Sequence, residues 1–190
     1  EFPDILIDVS SSHVTGLPAQ DLDMAVVYDR QNVDDKVSDL LWLVRVTPVC
    51  SPELAEKHAG KSIDQFLADN ELLHVKLESE PRGMLWSIYM RQCGIIADTD
   101  RGLAFDTAIS AVKYAISGEG VALADVDMFA EELADGKLVA PFDTALEDGF
   151  GYYLKFHPED LADPAVALFR TWIISRFATT SEPAKVSREP

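Results

Sequence analysis

Between Phe105 and Ala124 the sequence sets a helix, a glycine break and a buried strand end to end, and this order restricts the fold most. Ala108, Val112, Ala115 and Ile116 recur at the i, i+4, i+7, i+8 spacing of one helical face. Asp106 precedes them as the predicted N-cap, and Gly118 and Gly120 end the helix. Val121-Ala122-Leu123-Ala124 then follows without a polar residue, as a strand does when both its faces are covered. Such a unit needs further strands beside it and helices over it, which means an α/β layered fold.

The rest of the chain supplies them. Ile5–Val9, Asp23–Tyr28, Leu40–Val46, Leu72–Leu77, Leu138-Val139 and Phe150–Phe156 read as strands. Ser10-Ser11-Ser12 and the polar stretch Asp29 to Asp35 read as loops, and Leu17 to Leu22 as a brief helix or turn. Thr47 to Pro52 breaks the strand pattern. Ser51 with Pro52 predicts a helix from Pro52 to His58, stopped by Gly60. Ser62 and Gln65 have capping-box spacing ahead of Phe66 and Leu67. Met84–Cys93 is a helix with Leu85, Ile88 and Tyr89 on one face, ended by Gly94, and Val126–Leu133 is another. Pro164 opens a last amphipathic helix through Val166, Phe169, Trp172, Ile173 and Phe177. The alternation of helix and strand, with intervals too long for hairpins, predicts a mostly parallel sheet. Ala178–Pro190 has no periodicity and reads as a disordered tail.

Charge and chemistry exclude several classes. A net charge of −17 opposes phosphate contact by this piece of chain. No apolar run approaches the roughly 20 residues of a membrane helix, and no basic-then-apolar signal region opens the chain. Cys50 and Cys93 are too far apart in sequence for a zinc or redox pair and read as buried thiols of a reducing cytoplasm. The four histidines form no metal-binding spacing, so neither a metal nor a cofactor is expected. No phosphate loop, dinucleotide fingerprint or nucleophile elbow is present, and no catalytic residue is expected. Ser12 and His13 are neighbours on an extended chain and point to opposite sides, which denies them a nucleophile–base pairing. Binding groups are better placed at strand ends, at Ser10, Ser11, Tyr28 and Asp29. Asp106 and Thr107 lie at a helix N-terminus, where free N–H groups attract anions. Tyr152 and Tyr153 must face opposite sides of their strand, and sequence does not say which faces inward.

Five segments, in order, resemble those of LysR-type effector-binding domains: Phe2-Pro3-Asp4-Ile5, Leu22–Val26, Pro48–Leu54, Phe105-Asp106 through Gly118–Leu123, and Glu132–Phe142. Their flavour is that of the branch containing the glycine-cleavage activator and AmpR. The resemblance implies a type 2 periplasmic-binding-protein-like fold of two α/β lobes joined by two crossovers. Lobe I would hold residues 1–47 and 146–177, lobe II residues 48–145, with a small-molecule effector in the cleft between them. Carried over by position, the effector-binding residues are Ser10, Ser11, Tyr28, Asp29, Thr47, Asp106, Thr107 and Tyr152.

The resemblance also implies a winged helix-turn-helix upstream that carries DNA binding, and a homodimer or homotetramer of the full-length protein in the cytoplasm. The family's effector domain begins with a strand and helix ahead of Phe2–Ile5 that this sequence does not contain. Rival readings are a solute-binding protein of a transporter, an α/β enzyme, and a domain with a degenerate cleft that serves only oligomerisation.

Overall fold

The computed structural model describes residues 5–11, 16–30, 37–78, 80–96, 98–99 and 101–178. The chain divides into two compact units. Unit 1 is Glu1–Leu43 with Gly149–Pro190, and unit 2 is Val44–Asp148. Its strands are β1 (Met24–Arg30), β2 (Ser38–Val49), β3 (Leu72–Val75), β4 (Leu103–Phe105), β5 (Val121–Asp125) and β6 (Leu146–Phe156). Its α-helices are α1 (Pro52–Lys57), α2 (Ile63–Asp69), α3 (Met84–Cys93), α4 (Ala108–Ile116), α5 (Ala130–Ala134) and α6 (Pro164–Ala178). A 3₁₀ turn covers Pro158–Ala162. The chain leaves unit 1 inside β2 and re-enters it inside β6.

Unit 2 contains the predicted α/β layering. β5 pairs antiparallel with the end of β2 and parallel with β3, and β3 pairs parallel with β4. Every residue of β5 is buried, as its unbroken apolar run requires. Leu73, Ala122 and Ala124 pack with Ala111, Val112 and Ala115 of α4 in one core cluster. Phe66, Leu67, Trp86 and Tyr89 of α2 and α3 are also buried.

The helix starts follow their caps. Ser51 Oγ accepts from Leu54 N at 3.2 Å. Ser62 and Gln65 bond reciprocally in the predicted capping box. Gly94 ends α3 at φ 69°, in the left-handed region that favours glycine.

Several expectations change. The sheet pairings are mixed: β6 is the returning strand, so it runs antiparallel to β1, from Met24 opposite Phe156 to Arg30 opposite Phe150. Ile5–Val9 is not a strand, because no backbone ladder partner stands beside it among the described residues, and Leu6 is 93% exposed. β1 is half-exposed, with only Val27 buried. Thr47-Pro48-Val49 continues β2, held by burial and by pairing with Ala122–Ala124.

The predicted helix over Val126–Leu133 starts late. Asp125 Oδ1 takes the Asp127 amide at 3.1 Å, a local turn that competes with helix. Leu138-Val139 reduces to a single bridge between Val139 and Cys50. α6 is less clearly amphipathic than predicted, since the apolar Leu168 and Ile174 lie off the predicted stripe, and none of its described side chains is fully buried. Ala178 closes α6; the rest of the expected tail lies outside the described residues, as do Ser12 and His13.

Candidate functional site

Unit 1 sorts its polar and aromatic groups onto opposite faces of the β1–β6 pair. The register puts Tyr28 opposite Tyr152 and Asp29 opposite Gly151. Alternation then separates Tyr28, Phe150 and Tyr152 from Asp29, Tyr153 and Lys155. On the aromatic face, Tyr28 stacks on Phe150 at 4.8 Å and meets Tyr152 at 5.4 Å. Trp42 stacks on Tyr152 at 4.3 Å and on Phe177 of α6 at 4.9 Å. Arg170 of α6 bonds both Asp39 oxygens at 2.6 and 2.7 Å while lying over the Phe156 ring. Tyr28 and Tyr152 are thus brought together, inside an aromatic ladder.

The other face carries charge. Lys155 Nζ donates to Asp29 Oδ2 at 2.7 Å, and the Arg30 amide donates to Asp29 Oδ1 at 2.8 Å. Burial pushes the Asp29 carboxyl up, but the Lys155 hydrogen bond, the Arg30 amide and both positive charges hold it below its ordinary value. Tyr153 is 5% exposed, and its hydroxyl has no hydrogen-bond partner among the described residues. Burial, then the Asp29 charge, push the Tyr153 phenol up, so it stays a protonated donor. Sequence reasoning named Asp29 and, by resemblance, Tyr152, but missed Lys155 and Tyr153; only the pairing register shows which tyrosine shares the face of Asp29. Ser10 and Ser11 are exposed in irregular chain.

Unit 2 places Thr47, Asp106 and Thr107. Thr47 lies in β2 opposite Ala124, 2% exposed, with its Oγ1 buried and unpartnered among the described residues. A buried hydroxyl without a partner costs about 1–3 kcal/mol. Thr107, not Asp106, is the N-cap of α4: its Oγ1 accepts from Ser110 N at 3.2 Å and donates to Ser110 Oγ at 2.9 Å. Asp106 is drawn instead to Lys76 Nζ at 3.0 Å, an exposed pair. The cap leaves the first-turn N–H groups of α4 at the helix's positive end.

Cys50 is fully buried, with its thiol pushed up to about 11 by burial despite a hydrogen bond with the Ala55 backbone; Cys93 is half-buried. Among the described residues, no cluster of three His, Cys, Asp or Glu side chains could hold a metal ion. Among the described residues, no helix is long and apolar enough to cross a membrane.

Known proteins resemble this chain over nearly all its length. The LysR substrate binding domain matches residues 1–178. The glycine cleavage system transcriptional activator of Escherichia coli strain K12 is 32% identical over 165 residues, 86% of this chain and 52% of that protein. The HTH-type transcriptional activator AmpR of Citrobacter koseri is 28% identical over 87% of this chain and 54% of its own length. The chain therefore spans about half the length of the relatives it matches.

Among solved structures, the effector domain of AmpR from Pseudomonas aeruginosa superposes with a TM-score of 0.72 at 26% identity, covering 88% of this chain and 78% of that one. The AmpR effector binding domain of Citrobacter freundii gives 0.76 at 24% identity, covering 94% and 86%. The fold is that of LysR-type effector-binding domains, the type 2 periplasmic-binding-protein-like fold. On the match over residues 1–178, the chain belongs to the LysR substrate binding domain family.

Proposed function

We propose that this chain is the ligand-sensing part of a LysR-type transcriptional regulator and that it binds a small metabolite. The carrying observation is the family match over residues 1–178, together with relatives named as transcriptional activators. Those names favour a regulator over a transporter's solute-binding protein. The buried hydroxyls of Tyr153 and Thr47, unpartnered among the described residues, support a binding role in an arrangement that opens them to an effector's oxygen. Asp29 with Lys155 supplies charge in unit 1, and the Thr107-capped start of α4 supplies N–H donors in unit 2. Ser10, Ser11, Tyr28, Asp106 and Tyr152 complete the proposed set.

Binding alone suffices for this role, and no bond is made or broken. An effector alters a regulator only through different affinity for its two arrangements. DNA recognition belongs to a part of the regulator outside this chain, and a cytoplasmic homodimer or homotetramer is the proposed setting. Screening the chain by thermal shift against amino acids, short peptides and small carboxylates tests the reading. A binder raises the melting temperature in a concentration-dependent way. A hit that is chemically turned over would instead establish an enzyme.

A further inference from the structure

Just ahead of β4, Arg101 ties together three pieces of unit 2. Its guanidinium donates to the carbonyls of Leu67 at 3.1 Å, of Ala68, and of Asn70 at 3.4 Å, at the C-terminal end of α2. A helix leaves its last carbonyls without internal partners, and a cation suits that negative end. The Arg101 carbonyl accepts a hydrogen bond from His74 Nε2 at 2.7 Å. A carbonyl only accepts, so Nε2 carries a proton and is the donor of this bond. His74 is 2% exposed, and Nδ1 has no partner among the described residues. The next residue, Gly102, has φ +105° and presses on β3: a Cβ there would lie 1.9 Å from the Leu72 carbonyl oxygen. Arg82 donates to the Gly102 carbonyl.

An apolar residue at position 74 would avoid the unsatisfied Nδ1. What the imidazole contributes is the bond that fixes the Arg101 carbonyl, and so the start of β4. That strand has three residues, set against β3 with His74 opposite Ala104 and Val75 opposite Phe105. A ladder this short specifies its register weakly by itself, and a slip by one residue would turn every side chain over. The register is passed on at once: Lys76 N donates to the Phe105 carbonyl at 2.9 Å, Lys76 Nζ pairs with Asp106, and Thr107 caps α4.

We propose that His74 and Arg101 are positioning residues that set the register of β4 and thereby place the Thr107-capped start of α4. The functional meaning rests on the effector role proposed for that helix start; the placement itself does not.

Amide hydrogen exchange by NMR on the full chain tests it, in the wild type and in His74→Phe, His74→Gln and Arg101→Gln. The reporters are the amides of Lys76 and Ser110; the references, on other ladders of unit 2, are Val126, bonded to the Arg45 carbonyl, and Cys50, bonded to Val139. Expected is reporter exchange faster by about tenfold relative to the references in His74→Phe and Arg101→Gln. His74→Gln, whose side-chain amide can donate to the Arg101 carbonyl, restores the wild-type ratio. Equal acceleration at all four amides, or none, overturns the proposal. If His74→Phe does not fold, Arg101→Gln decides on the same amides.

A titration with sodium acetate, followed by the amide shifts of Ala108 and Ile109, forms the second arm. Saturable shifts in the wild type, weakened in Thr107→Ala and in His74→Phe or Arg101→Gln, join the two readings. If the exchange result holds but acetate shifts nothing, the effector role of α4 fails and the positioning stands. If acetate binds equally to the wild type and to the positioning variants while exchange is uniform, the positioning fails alone.

Discussion

The two units solve the same packing problem by different means. Unit 2 buries its core fully, from Ala111, Val112, Ala115, Ala122 and Ala124 between sheet and α4 to the rings of Phe66, Trp86 and Tyr89. Its loops are tied by caps and by backbone contacts as close as Gly102 on Leu72. Unit 1 relies on large rings stacked across β1, β2, β6 and α6, and leaves α6 partly exposed along its whole length. A fully buried, close-packed core tolerates almost no change in volume, whereas a half-covered aromatic ladder has room to adjust. Stability should therefore be uneven, highest in the sheet and α4 of unit 2.

The largest effect expected is at Gly102. Gly102→Ala adds a methyl group against the Leu72 carbonyl at a positive φ. Left-handed backbone and overpacking together should cost at least about 3 kcal/mol, read as a lower urea midpoint, with unfolded protein at room temperature as the extreme. A cost under about 1 kcal/mol would mean that β3 and the residue before β4 are not so closely apposed.

Next comes a matched pair of truncations. Val112→Ala in the α4 core should cost about 2 kcal/mol. Leu168→Ala on exposed α6 should stay within about 0.5 kcal/mol. Equal losses would erase the contrast between the units.

The unpartnered hydroxyls invert the usual sign. Thr47→Val and Tyr153→Phe remove donors that have no acceptor among the described residues, so each should leave the free chain unchanged or more stable by up to about 1 kcal/mol. A loss of more than about 1 kcal/mol in urea titrations would show that the hydroxyl is satisfied within the folded chain.

The smallest effect concerns Asp29. Its carboxyl is held below its ordinary value of 3.8, so the linked stability is present above that pH and is lost as pH falls through the lower, folded value. The pair is partly exposed, with 41% of the Asp29 side chain accessible, so the effect should stay under about 1 kcal/mol. Asp29→Asn should flatten the fall of the urea midpoint below about pH 4, while leaving the shape of the curve above it.

How much of this was legible in sequence follows the same contrast. Unit 2 announced itself through local signals: the Ser51 and Ser62 caps, the Gly94 stop, the α4 stripe and the apolar run of β5 all carry their reasons within a few residues. The errors there lay at helix starts, where neighbouring polar side chains compete for the first turn. Thr107 took the cap from Asp106 once Lys76, distant in sequence, claimed the carboxylate. Asp125 made a turn where periodicity suggested helix.

Unit 1 was harder because its order depends on pairing between distant segments. Nothing near Ile5–Val9 says that no described strand will lie beside it. Nothing near Tyr152 and Tyr153 says which of them faces Asp29 until Asp29 is set opposite Gly151. The proposed binding residues were half legible for the same reason. Asp29 came from its place at a strand end and Thr47 from likeness to a family, whereas Lys155 and Tyr153 needed the register.

We propose that an effector binds through the Tyr153 and Thr47 hydroxyls, unpartnered among the described residues. Isothermal calorimetry of the strongest hit from the thermal-shift panel, against the wild type, Tyr153→Phe and Thr47→Val, tests it most directly. The account predicts saturable binding to the wild type and a loss of about tenfold or more in at least one variant, with both variants as stable as the parent. Unchanged affinity in both stable variants would contradict it.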